Sequence, residues 1–444
     1  MTTTNDVEAA LADVRSRMSA KQVRSIVESE RHTVALWVGA VSAGKTFASL
    51  IAFLIAILRV PPGERIIIVG RTLRTIEGNV IELLQDRKRF GILADQVEHT
   101  RGAGTATILG RVVELIGAPT VLAEGNIRGG TIALAYVDEA TLIPREFWAM
   151  LMTRLRVLGA RCLATTNPAS KNHWLRKEYI LAAASWGMVV FHFTMRDNPS
   201  LSAAYVLRMI RANTGMFYQR FILGLWTNAA GAIYDMWDPD RYVIAWADMP
   251  KIARVLAVGI DYGASHATSA IMLGVTDEYD GHGRWTPRLI LMDEWRYKTD
   301  HEAGTPSMAP SEMAKAIKTW LREDHTPGTE LVRPQFVYCD PSARGFREEL
   351  NREKVRTIAA ENDVLPGIAD IASLLAQDRL LVTDRCTGFL EEITEYVWDA
   401  KKTDEGEDEP LKENDDSVDA ARYAIRSTRQ VWQTIFRQAY RLAA

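Results

Sequence analysis

The residues Gly39-Ala40-Val41-Ser42-Ala43-Gly44-Lys45-Thr46 stand at the spacing G-x-x-x-x-G-K-T. Their chemistry is phosphate binding. In such a loop the backbone N–H groups cradle phosphate oxygens, Lys45 reaches the β- and γ-oxygens, and the Thr46 hydroxyl ligates Mg²⁺. The bare spacing recurs by chance, so its flanks decide whether it is real. Here the apolar run Thr33-Val34-Ala35-Leu36-Trp37-Val38 leads in and the apolar segment 47–58 follows, ended by Pro61-Pro62. A strand, a loop and a helix N-terminus are what the chemistry needs, because the helix dipole favours the anion.

A second group follows. The run Ile132-Ala133-Leu134-Ala135-Tyr136-Val137 ends in Asp138-Glu139. In phosphoryl-transfer sites the first acid holds Mg²⁺ through water and the second polarises the attacking water. Then Arg161-Cys162-Leu163-Ala164 ends in Thr165-Thr166-Asn167-Pro168. These polar residues could sense the γ-phosphate. They could equally be a plain strand-to-turn exit, since Asn-Pro is a turn pair.

The third group is acidic. Asp261 closes the apolar run 255–260, Asp340 closes 335–339, and Asp415, Asp416 and Asp419 crowd one helical segment, where residues three and four apart share a face. Carboxylates from separate elements, with no His/Cys cluster, suit hard divalent ions. Two Mg²⁺ or Mn²⁺ ions held this way can hydrolyse a phosphodiester. Any one of these aspartates is more simply a cap or turn residue; the set is what points to metal.

The elements that must position these residues alternate between strand and helix. Segment 1–30 has Val7, Leu11, Val14 and Met18 at helical spacing. A buried strand at 64–72, a helix at 76–86 and a strand pair at 106–116 follow. Up to about residue 195 the pattern predicts a mostly parallel sheet with flanking helices. Segment 200–226 reads as one helix, with Tyr205, Met209, Phe217, Phe221 and Leu225 on a face. The less regular stretch that follows, with Gly231 and Pro239, marks a boundary. We therefore expect an α/β chain with domains at 1–230 and 251–444, joined by a linker at 231–250. In the second domain, strands are expected near 255–263, 267–275, 288–295 and 335–343, with a helix at 311–323.

The totals agree. A chain of 444 residues has room for two or three domains. Its 47% apolar and 25% charged content is that of a globular protein. A net charge of −3 excludes a wholesale basic coat but not a local basic groove. Cys162, Cys339 and Cys386 form no C-x-x-C pair, which fits a reducing compartment and gives no zinc site. Segment 1–17 is polar rather than a secretory signal, and 47–58 is too short to span a bilayer, so a soluble protein with no membrane partner is expected.

Further segments stand around these groups: Lys21-Gln22-Val23-Arg24 before the loop, and Ile127-Arg128-Gly129-Gly130 before Asp138. Leu223-Gly224-Leu225-Trp226, Gly231-Ala232-Ile233-Tyr234 and Tyr396-Val397-Trp398-Asp399 complete the series. In this order and spacing, over residues 20–430, the chain resembles the large subunit of the tailed-bacteriophage terminase, which packages DNA into procapsids and cuts it. The resemblance implies an N-terminal P-loop ATPase of the additional-strand type and a C-terminal nuclease of the RNase H/RuvC-like fold. It implies that Lys45 and Thr46 bind ATP and Mg²⁺, Asp138 is the Mg²⁺-side acid, Glu139 is catalytic, and Thr165, Thr166 and Asn167 couple hydrolysis to DNA movement. Gln22 matches a segment that contacts adenine. Arg128 matches an arginine that reaches the neighbouring subunit's ATP, although a surface arginine in a Gly-rich turn would look the same.

In the second domain the resemblance implies Asp261, Asp340 and Asp419 as ligands for two Mg²⁺ or Mn²⁺ ions, with Asp416 standing where relatives often have His. Segment 396–412 resembles a hairpin bordering the nuclease site; its charge run 404–409 could also be a solvated loop tip. Many relatives carry Arg where Ser42 stands, and Arg71 or Arg74 are the stand-ins the sequence offers. Segment 426–442 has several arginines and no acid, interleaved with Trp432, Phe436 and Tyr440. Such a basic amphipathic helix suits a partner surface, DNA, or packing on its own domain.

The implied partners are double-stranded DNA, the portal protein, the small terminase subunit and further copies of the chain in a ring. The implied location is the host cytoplasm and, transiently, the procapsid portal vertex, not the mature virion. Two competing readings are a helicase-nuclease of DNA repair and a nucleotide- and DNA-binding scaffold without chemistry. The first needs the arginine-rich motifs of a second RecA-like domain, and none is apparent after residue 230. The intact Lys45, Asp138 and Glu139 oppose the second.

Overall fold

The computed structural model describes residues 10, 13–14, 16–263, 267–298, 308–328 and 333–442, with side chains to Ala439. Val7 and Leu11 of the expected N-terminal helix, and the Tyr440 ring, lie outside the described residues. The chain divides into two compact units. The first holds residues up to Ile210 with Met216–Asn228 and Thr403–Glu407; the second holds Arg211–Gly215, Ala229–Lys402 and residues from Asp408. Among the described residues no helix is long and apolar enough to cross a membrane.

In the first unit, β1 (Val34–Gly39), β2 (Ile66–Gly70), β3 (Val97–His99), β4 (Thr105–Ile108), β5 (Arg111–Gly117), β6 (Leu134–Val137), β7 (Arg161–Thr166) and β8 (Met188–Phe193) form one sheet. Their order is β3-β4-β5-β2-β6-β7-β1-β8. From β5 to β8 every pairing is parallel, and β3 and β4 add an antiparallel edge. The turn between β4 and β5 is tight, with Leu109 and Gly110 both at positive φ (50° and 73°).

The central strands are apolar throughout because both faces are covered. Ala35 and Trp37 of β1 join one core with Ile66 and Ile68, while Val34, Leu36 and Val38 join the opposite core with Ile67 and Val69. Helices α1 (Ala20–Ser29) and α2 (Lys45–Arg59) lie on the first of these faces.

Two expected helices are interrupted. Segment 76–86 contains a π-turn, Glu77–Ile81. Segment 200–226 is helical only at Ala203–Arg211 and again from Gly215, whose φ of 48° is reached readily by glycine alone.

The second unit has β9 (Val243–Ile244), β10 (Ile252–Asp261), β11 (Thr268–Thr276), β12 (Leu289–Tyr297), β13 (Phe336–Cys339), β14 (Ile358–Ala359) and β15 (Leu380–Thr383). Their order is β14-β13-β10-β11-β12-β15-β9. Only β10–β11 and β11–β12 are antiparallel. Residues 231–250, expected as a linker, are part of this unit: they supply β9, and Ile233 N donates to Tyr396 O at 2.9 Å.

Helix α3 (Thr387–Glu395) precedes α4 (Asp416–Ser427), which packs against β10 and β11. Gly259 permits that contact, because a Cβ there would strike the Ala420 carbonyl oxygen. The last helix, α5 (Arg429–Leu442), packs on its own unit. Trp432 is buried and donates from Nε1 to Ile425 O at 2.8 Å, and Arg429 pairs with Asp370 at 2.9 Å. Segment 396–412 closes through a Trp398–Pro410 bridge, but its middle is the short helix Ala400–Glu405 rather than two strands.

Candidate active sites

In the first unit the phosphate loop joins β1 to α2 as its chemistry requires. Gly44 caps α2 at φ 81°, and any Cβ there would meet the Gln22 amide. Ser42 is left-handed too, at φ 55°. Its hydroxyl is 2.8 Å from Tyr205 Oη and its carbonyl accepts from Asn198 Nδ2 at 2.7 Å. The loop residue least typical of the resemblance is therefore braced by residues 198–205. A cleft of about 680 Å³ opens over the loop, a volume suited to a nucleotide. Arg17 and Arg89 line it, whereas Arg71 and Arg74 do not.

The chemical groups meet at the cleft floor. Lys45 is buried, and its Nζ donates to Asn167 Oδ1 at 2.6 Å and to Ala40 O at 3.2 Å. Asp138 accepts from Thr165 Oγ1 and from Asn79 Nδ2, each at 3.0 Å. Asn79 arrives from the π-turn, an irregularity often found at functional sites.

Glu139 sits at φ 54°, ψ 61°, which costs a non-glycine residue about 1–2 kcal/mol. It persists because Asn167 holds the carboxylate twice, N–H to Oε2 at 3.2 Å and Nδ2 to Oε1 at 3.0 Å. Thr166 bonds Thr141 Oγ1 at 2.8 Å. Thus Thr165 and Asn167 face the acids, while Thr166 fastens the loop behind them. Burial raises the pKa of both Asp138 and Glu139 and lowers that of Lys45. Opposite charges in one buried site need one another.

A phosphate with Mg²⁺ fits these residues. Gly44 turns the loop at a left-handed φ, Lys45 lines the cleft above it, and Thr46 and Asp138, also on the cleft wall, are hard oxygen donors. Gln22 is 3% exposed; its Oε1 caps α1 through Ser19 N at 2.9 Å and its Nε2 donates to Gly44 O at 3.1 Å. It braces the loop. Arg128 lies off this floor, 64% exposed and paired with Glu124.

In the second unit, Asp261 and Asp340 end neighbouring parallel strands. The β10–β13 register pairs Ile260 with Cys339, so each acid is the next residue along. Asp340 also accepts from Ser342 N at 2.9 Å. Helix α4 brings Asp415, Asp416 and Asp419 to the same place. Burial, followed by Asp419, Asp416, Asp340 and Asp415, pushes Asp261 up to about 8. Asp419 is gripped by buried Arg422, Nη2 to Oδ2 at 2.7 Å and Nε to Oδ1 at 3.1 Å, with Lys412 Nζ at 3.6 Å.

The start of α4 is fixed from below. Glu392, 2% exposed, accepts from Ser417 N at 2.6 Å and Val418 N at 3.0 Å, and pairs with Arg296 at 2.6 Å. Among the described residues no three Asp, Glu, His or Cys side chains are drawn together as a finished metal cage. The donor chemistry still fits a divalent ion: the set is all oxygen, and burial together with the neighbouring carboxylates pushes Asp261 well above the usual carboxylate range.

Sequence reasoning missed Asn79, Arg422 and Glu392. Arg422 was legible as an i,i+3 partner of Asp419. Asn79 and Glu392 gave no local signal.

Two family models match the chain. Residues 36–238 match "Terminase large subunit, T4likevirus-type, N-terminal", and residues 297–428 match "Terminase RNaseH-like domain". The large terminase of the thermophilic bacteriophage D6E, in a structure with ADP, is 30% identical, with a TM-score of 0.80 over 93% of this chain and 99% of that one. This chain belongs to the terminase large-subunit family. A structure of the D6E protein with ATP-gamma-S superimposes with a TM-score of 0.78. The large terminase subunit of Escherichia phage T5 is 22% identical over 292 residues. That match spans 63% of this chain and 61% of the T5 protein, less than two thirds of the relative's length. The phosphate loop thus lies in a terminase ATPase unit and the acidic cluster in an RNase H-like nuclease unit. Asp261 precedes the second matched span, so its place in the site rests on the strand register.

Proposed function

We propose that this terminase hydrolyses ATP to drive double-stranded DNA into a phage procapsid and cuts concatemeric DNA with its second unit. The observation that carries the reading is the hydrogen-bonded floor Lys45–Asn167–Glu139, with Asp138 beside it, in a chain of this family. Lys45 and the loop N–H groups would orient the phosphates, and Thr46 and Asp138 would hold Mg²⁺. Glu139 takes the proton from the attacking water, fixed in place by Asn167. Thr165, which bonds Asp138, and Asn167 are the residues through which loss of phosphate would be felt. DNA is gripped through its phosphates, hence without sequence preference.

Arg128 lies exposed and off its own cleft, which suits a role at a neighbouring copy's ATP in a ring. In the second unit Asp261, Asp340 and Asp419 would hold two Mg²⁺ or Mn²⁺ ions, with Asp416 at the rim. Bound metal would supply Lewis-acid activation of water and of the leaving oxygen. The partners we assign are the portal protein and the small terminase subunit, met in the host cytoplasm and at the portal vertex, not in the mature virion. Packaging of DNA into purified procapsids, with and without ATP, tests this. ATP-dependent protection of DNA from nuclease is expected, and unwinding of duplex without protection would replace the motor with a helicase.

A further inference from the structure

Lys45 has three N–H donors, and two are already directed: to Asn167 Oδ1 at 2.6 Å and to Ala40 O at 3.2 Å. Contact with both a β- and a γ-oxygen takes two donors. At least one present bond must therefore be exchanged when phosphate arrives. The Asn167 oxygen is the shorter contact and belongs to a side chain, whereas Ala40 O is fixed in the loop backbone.

The other end of the same amide holds Glu139. Asn167 Nδ2 donates to Oε1 at 3.0 Å and its backbone N–H to Oε2 at 3.2 Å. One planar amide thus ties the phosphate-binding ammonium to the acid that takes the proton from water. Rotation that frees Oδ1 from Lys45 also moves Nδ2 against Glu139, because the two atoms share a rigid group.

We infer that Asn167 is a positioning residue that competes with phosphate for Lys45 and transmits the outcome to Glu139. This rests on the nucleotide-binding reading above and adds a direction to it: Asn167 weakens nucleotide binding while speeding turnover. A residue that merely shaped the strand end would support both.

The experiment measures ATPγS affinity with Mg²⁺ by calorimetry, and ATP turnover, for the wild-type full chain, Asn167→Ala and Asn167→Ser. Both variants lack an acceptor long enough to reach Lys45, and the serine keeps a small polar residue before Pro168 should alanine fold poorly. In each, the ATPγS Kd should fall about threefold to tenfold, the net worth of about one intramolecular hydrogen bond that phosphate no longer has to displace. In each, kcat should fall at least about tenfold, because Glu139 keeps only its backbone donor. An unchanged or raised Kd in a folded variant overturns the competition. Wild-type protein that fails to bind ATPγS would instead bring down the nucleotide-binding reading itself, and this inference with it.

Discussion

Asn79 Nδ2 donates to Asp138 Oδ2 at 3.0 Å, across the gap between a π-turn and the end of β6. The other Asp138 oxygen takes a bond from Thr165 at 3.0 Å. Each oxygen keeps a lone pair for the cleft, so the carboxylate is oriented before any cation binds. Partners of this kind are worth about 10–100-fold in metal affinity. We expect Asn79→Ala to raise the Mg²⁺ concentration for half-maximal ATPase by that range, with kcat at saturating Mg²⁺ changed little. An unchanged Mg²⁺ requirement would show that Asp138 needs no such support.

Lys45 and Glu139 separate binding from chemistry. Lys45→Ala removes the ammonium from the cradle and should abolish both nucleotide binding and turnover. Glu139→Gln keeps the shape and the Asn167 contacts on one side but cannot take a proton, so ATP binding should survive while turnover drops by about a hundredfold or more. Paired calorimetry and phosphate-release assays read the difference. Normal hydrolysis by Glu139→Gln would remove it from the mechanism.

The phosphate loop, the Asp138-Glu139 pair and Asn167 were legible because fixed spacing and an apolar strand before each carry the signal. Asp261 and Asp340 were legible for the same reason, as strand ends, and Asp415, Asp416 and Asp419 by their helical spacing. What supports them was not. Asn79 depends on a π-turn that shifts its side chain by part of a helical turn, and Glu392 meets the start of α4 only through the packing of α3, with no spacing in the sequence to show it. Gln22 lines the cleft, and the contacts by which its amide also braces Gly44 and caps α1 gave no sign in the sequence. The linker at 231–250 looked irregular because β9 has only two residues, too few for a period to show.

Asp261 predicts a pH dependence with a definite sign. Its folded pKa is raised to about 8 from an ordinary 3.8. Between those values the folded state holds a proton that the unfolded state has released, so stability falls as pH rises across that window and levels above it. A divalent ion replaces the proton and should offset the loss most at high pH. In chelator, the melting temperature of the second unit's transition should decline from pH 5 toward about pH 8 and recover on adding Mn²⁺. Asp261→Asn should flatten both responses and abolish plasmid cleavage while leaving ATPase intact. Cleavage that persists in Asp261→Asn would dissolve the nuclease site as drawn.

Gly259 tests whether α4 must lie this close to β10. A Cβ at that position would overlap the Ala420 carbonyl and come within 2.7 Å of Ala424 N, both backbone atoms that no rotamer change can move. Gly259→Ala must therefore push α4 away, carrying Asp419 from Asp261 two residues along the strand. Overpacking of this kind typically costs about 1–3 kcal/mol. The expected result is a lower melting temperature for the second unit, with Mn²⁺-dependent cleavage lost even where the unit remains folded. ATPase should be unaffected, since Lys45, Asp138, Glu139 and Asn167 all belong to the other unit. Gly259→Ala with full cleavage would mean that Asp419 need not approach Asp261, and the metal set would then have to be sought among Asp261, Asp340 and residues outside α4.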